Sequence, residues 1–136
     1  MIKKVKLKNG IIISWDDDLY PDLLDMRMVV YKSTVADGTF YDGQTRRTIR
    51  ERFEYGHCSI WSNSLNSNKI RQYGVVEIEI LGTAKTIDEL DSLERECIWN
   101  DLKKLGYKLD EDIPLDELNK QMLNRELYLD KISNTY

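Results

Sequence analysis

Apolar residues alternate with lysines from Lys3 to Lys8 and resume at Ile11-Ile12-Ile13, beyond an Asn9-Gly10 pair. Alternation on both sides of an Asn-Gly dipeptide predicts a β-hairpin. Trp15 to Asp25 is acidic, contains Pro21 and reads as a linker or short helix. A second hairpin follows over Met26 to Ser33 and from Thr39 to Tyr41. Its strands are rich in β-branched and aromatic residues, and Asp37-Gly38 supplies the turn.

After Thr45 the period changes from two to that of a helix. Ile49 and Phe53, four apart, predict a helix to about Tyr55, capped by Thr45 or a neighbour. Gly56 to Asn63 reads as a loop, and Ser64 to Tyr73 as a second helix stopped by Gly74. Val75 to Leu81 alternates as a strand. Thr86 caps a long helix to about Leu105, with Glu89 at the capping-box position. After an acidic break at Leu109 to Asp112, Pro114 opens an amphipathic helix to about Leu129. The expected fold is α+β: a small three-stranded antiparallel sheet flanked by helices, with an added N-terminal hairpin and a C-terminal helix. One domain is expected, divided into a hairpin and linker (1–25), a core (26–108) and a helical tail (109–136).

A chain of 136 residues suits one domain with a real core. No apolar run approaches the ~20 residues that span a bilayer, and the N-terminus lacks a signal-peptide core. Cys58 and Cys97 have no CxxC pairing. A reduced, intracellular (cytoplasmic) protein with no membrane partner is therefore expected. One histidine and two cysteines argue against a zinc site on soft ligands. Residues 1–108 carry 17 Lys/Arg against 17 Asp/Glu, and residues 109–136 carry 3 against 7, the source of the whole −4. Within the neutral part, Lys3, Lys4, Lys6 and Lys8 cluster, as do Arg46, Arg47, Arg50 and Arg52. Local positive potential governs encounter with phosphate more than net charge does. The lysines equally suit a solvated edge strand.

Two features carry chemistry. Tyr31 and Tyr41 fall on adjacent strands with arginines a helical turn away, a pattern that suits phosphodiester cleavage or, more blandly, packing. In the long helix, Ile87, Leu90, Leu93, Cys97, Ile98 and Leu105 share one side, and Glu94 points into that stripe. A buried carboxylate is costly unless paired or bound to a cation. An internal salt bridge to an arginine and a Mg²⁺ ligand both meet that need.

These residues together resemble the GIY-YIG nuclease superfamily over residues 28–108. Val29-Val30-Tyr31, Asp37-Gly38, Tyr41-Asp42-Gly43 and Gln44-Thr45 correspond to its first hairpin. Ile49, Arg52 and Phe53 fit its first helix, and Lys69 to Gly74 resembles the end of its second. Leu93, Glu94 and Ile98 match its third. Val29 stands where glycine is usual, Asp42 replaces an apolar residue, and Arg52 lies one position later than usual. Gly56 takes the place of a His or Tyr, and Lys108 that of an asparagine.

The resemblance implies a DNA endonuclease in which Tyr31 or Tyr41 helps activate water, Arg52 stabilises phosphoryl charge and Glu94 holds one Mg²⁺ (or Mn²⁺). His57 is a second candidate proton shuttle. Lys32 and Arg52 are candidates to lower a tyrosine pKa, and Lys32, Arg46, Arg47 and Arg50 are candidate DNA contacts. The competing expectation is a catalytically degraded scaffold that binds DNA or protein. The C-terminal helix either covers the core or pairs two subunits as a homodimer.

Overall fold

The computed structural model describes residues 1–56, 65–123 and 127–128. Five longer strands and one short one form its sheet; the longer ones are β1 (Ile2–Lys6), β2 (Ile12–Asp16), β3 (Val29–Thr34), β4 (Thr39–Thr45) and β5 (Val75–Thr83). A two-residue β6 (Leu127–Tyr128) lies against the start of β4. The order across the sheet is β1-β2-β5-β3-β4-β6. Helices are α1 (Ile49–Glu51), α2 (Leu65–Tyr73), α3 (Ile87–Lys104) and α4 (Leu115–Leu123).

The α+β class agrees with the alternating pattern, but the sheet is not a separate three-stranded antiparallel one. The N-terminal hairpin joins it, because β2 pairs in parallel with β5 through Ile12↔Val75 and Ile13↔Val76. Ile11, Ile13 and Trp15 are buried, so the hairpin has an apolar face that it cannot leave in water. Without β2, the edge of β5 would also present unpaired backbone groups. β1 is then the exposed edge, and its Lys3, Lys4 and Lys6 are solvated.

β3 is central, antiparallel to both β4 and β5. On one face Tyr31 packs with Ile49, Phe53 and Ile70, and the Tyr31 and Phe53 rings meet edge-on at 5.3 Å. On the other side, Ile98 and Leu102 of α3 pack with Leu118 of α4. Arg95 Nε donates to Ile113 O (2.6 Å) and Trp99 Nε1 to Asp110 O (3.1 Å), which ties the segment before α4 onto α3. Leu118 is fully buried, so α4 covers the core in a single chain. The helix ends at Leu123 rather than near Leu129, and Leu127–Tyr128 pair with Thr39 and Phe40 instead. The free edge of β4 outcompetes the helical pattern there. No helix among the described residues is long and apolar enough to cross a membrane.

Candidate active site

The hairpin register decides which side chains meet. Tyr31 lies opposite Gly43 and Ser33 opposite Tyr41, so both phenols share one face with Gly43 between them. A Cβ on Gly43 would stand 2.7 Å from Tyr41 Cε1 and 2.9 Å from the Tyr31 hydroxyl. Glycine is therefore needed for the two rings to approach each other. The alternate residues Lys32, Asp42 and Gln44 face α3.

The link from β4 to α1 is built by short side chains. Thr45 Oγ1 accepts from Arg47 N (3.1 Å), which folds the chain back at the strand end. Thr48, not Thr45, caps α1: its Oγ1 accepts from Glu51 N (3.0 Å), and Glu51 answers in a capping box. After one turn the helix widens into a π turn over Arg52–Gly56. Asn9 Nδ2 donates to Phe53 O (3.0 Å), so the first hairpin supplies a partner for that turn. Arg52 is thereby set over β3, and its Nε donates to the Tyr31 hydroxyl at 3.1 Å.

Gln44, Thr45, Arg46, Arg47, Glu51, Arg52 and Tyr55 line a cleft of about 430 Å³. Three arginines line it, and Arg52 joins it to Tyr31. Arg50 lies elsewhere, paired with Glu54 at 3.5 Å, and Lys32 contacts Asp101 at 3.1 Å and the Phe40 ring at 4.8 Å. Neither of those two cations lines the cleft. His57 lies outside the described residues, as does Cys58.

Tyr41 is buried, and its phenol is pushed up from the usual tyrosine value by burial, by Tyr31 and by Glu94; Arg52 offsets part of this. Tyr31 is wholly buried but has the Arg52 donor at its oxygen. The two phenols therefore differ: Tyr31 has a guanidinium donor at its oxygen, whereas the surroundings of Tyr41 oppose a phenolate there.

Glu94 is 3% exposed, as its place in the apolar stripe predicts. Asn119 Nδ2 donates to its Oε1 at 3.0 Å, and Gln44 also hydrogen-bonds to it. Burial nevertheless raises its pKa, with Asp91 adding repulsion and Arg52 easing it. No arginine forms a salt bridge with Glu94 among the described residues. A buried carboxylate with amide groups beside it and, among the described residues, no ion-paired cation is of a kind that suits a hard divalent metal ion.

Gln44 and Asn119 were not candidates from sequence. Asn119 nonetheless carries a signal of the same kind as Glu94, because it interrupts the apolar stripe of Leu115, Leu118 and Met122. Asp42 does not line the cleft. Its carboxyl is buried against that of Asp101, and burial and this neighbour raise its pKa well above the usual range, while Lys32 opposes the rise. Cys97 stands beside this group, and burial pushes its thiol up to about 11.

Comparison with known protein families, characterised proteins and solved structures finds no match to this chain.

Proposed function

We propose that this chain is a divalent-metal-dependent endonuclease of GIY-YIG type that hydrolyses DNA phosphodiester bonds. The observation that carries the reading is the Arg52–Tyr31 contact at the wall of an arginine-lined cleft. A guanidinium has five donors, so Nε can hold the Tyr31 oxygen while the terminal nitrogens take phosphoryl oxygens. Arg46 and Arg47 bind flanking phosphates and keep the backbone in register. Tyr31, as the phenolate that Arg52 stabilises, accepts a proton from the attacking water. Tyr41 packs beside it and helps orient the phosphate.

Glu94 would hold a Mg²⁺ or Mn²⁺, which when bound supplies Lewis-acid stabilisation of the phosphate and the leaving oxygen. Lys32 has no part in this scheme, since Asp101 engages its ammonium.

One observation favours a second reading, a scaffold that binds DNA or protein without cutting it. Glu94 is sealed by amides and does not line the cleft. Incubating supercoiled plasmid with Mn²⁺ and either wild type or Tyr31→Phe separates the two. The endonuclease reading predicts nicking by wild type and at least a hundredfold less by the variant. Equal nicking by both overturns the role of Tyr31, and an inert wild type that still shifts DNA in a gel favours the scaffold.

A further inference from the structure

We infer that Gln44 of β4 and Asn119 of α4 complete a divalent-cation site with Glu94, their side-chain oxygens joining its carboxylate as ligands. The inference rests on the reading of Glu94 as the metal residue and adds two ligands, and with them the C-terminal helix, to that site.

Three elements meet here. Glu94 projects from α3, Gln44 from β4 and Asn119 from α4. Asn119 Nδ2 donates to Glu94 Oε1 at 3.0 Å. Gln44 Nε2 donates to Asp91 Oδ1 at 2.7 Å, and the Gln44 side chain also hydrogen-bonds to Glu94. Both amides thus turn N–H groups toward carboxylates. Their oxygens, Gln44 Oε1 and Asn119 Oδ1, are buried and have no partner among the described residues.

A buried acceptor without a donor is unfavourable, and two of them flank one buried carboxylate. The amide group explains the arrangement. It offers two donors at one end and an acceptor at the other, and a half-turn about its last bond exchanges them. Without an ion, Asp91 and Glu94 repel each other, and the amide N–H groups are the best available neighbours. With a dication between them the preference reverses, and each amide gains by presenting its oxygen. Carboxylate and amide oxygens are the hard donors that Mg²⁺, Mn²⁺ and Ca²⁺ accept. Glu94 supplies the one ligand charge, and Asp91, in contact with Gln44, adds a second negative charge nearby that helps offset a dication. A simple hydrogen-bonded clamp of α4 onto α3 gives no reason for orphaned oxygens on both amides that touch Glu94.

The test uses the full chain and Mn²⁺ as the probe, with free Mn²⁺ measured by electron paramagnetic resonance and folding by thermal melting. Wild type should bind one Mn²⁺ and melt higher in its presence, and Glu94→Gln should lose both effects. Asn119→Ala and Gln44→Ala should each weaken Mn²⁺ binding about tenfold or more. Asn119→Asp discriminates further. It adds a third carboxylate, so the metal-free variant should melt lower than wild type, while Mn²⁺ should raise its melting temperature at least as much as it does for wild type.

Wild-type affinity in both alanine variants, with Glu94→Gln inactive in binding, overturns the ligand roles and leaves the Glu94 reading standing. An Asn119→Asp variant that Mn²⁺ fails to stabilise overturns the role of Asn119. No Mn²⁺ binding by wild type overturns this inference and the metal reading of Glu94 together.

Discussion

Arg52 Nε donates to the Tyr31 hydroxyl across 3.1 Å, joining the π turn after α1 to the central strand of the sheet. Both residues stand beside Phe53, whose ring meets that of Tyr31 at 5.3 Å. The contact therefore lies where the core ends and the cleft begins. In the endonuclease reading it activates the phenol and aims the guanidinium at phosphate.

Arg52→Lys keeps a cation but loses the planar fork that reaches Tyr31 and a phosphoryl oxygen together. Nicking of supercoiled plasmid should fall about a hundredfold while the melting temperature changes little. Wild-type nicking by this variant would show that a point charge is enough.

Gly43→Ala places a methyl 2.7 Å from Tyr41 Cε1 and 2.9 Å from the Tyr31 hydroxyl, among buried rings that have little room to shift. The expected cost is about 1–3 kcal/mol of stability in chemical denaturation. Nicking should fall more than the loss of folded protein explains. An unchanged denaturation midpoint would mean that the hairpin relaxes freely around the methyl.

The Asp42–Asp101 contact predicts a pH dependence. Asp42 keeps its proton to higher pH in the folded chain than in the unfolded one, because of burial and the neighbouring carboxyl. The folded state then binds more protons, so its stability falls as pH rises from the ordinary aspartate range of about 4 through the raised value. Asp42→Asn should flatten that fall in urea melts taken across pH. An equally steep fall in the variant would assign the dependence to another group.

Much of the fold is legible in the local pattern. The Asn9-Gly10 and Asp37-Gly38 turns, the Thr86 cap and the periodicity of α3 each match an observed element. The parallel pairing of β2 with β5 is not legible, because it joins segments some sixty positions apart and depends on which edge is free. For the same reason α4 was expected to run too far, since β4 competes for Leu127–Tyr128. At the site, Glu94 is visible as a carboxylate in an apolar stripe. Asn119 breaks its own stripe in the same way, but a neutral amide in an amphipathic helix draws less notice than a charge. The contact between Asp42 and Asp101 spans β4 and α3, and no local pattern encodes it.

The central claim, metal-dependent cleavage at Glu94, is tested most directly by supercoiled-plasmid cleavage with Mg²⁺ or Mn²⁺, comparing wild type with Glu94→Ala. The account predicts that wild type nicks or linearises the DNA only with the metal, and that the folded variant leaves it intact. Equal, metal-dependent cleavage by both proteins would contradict it.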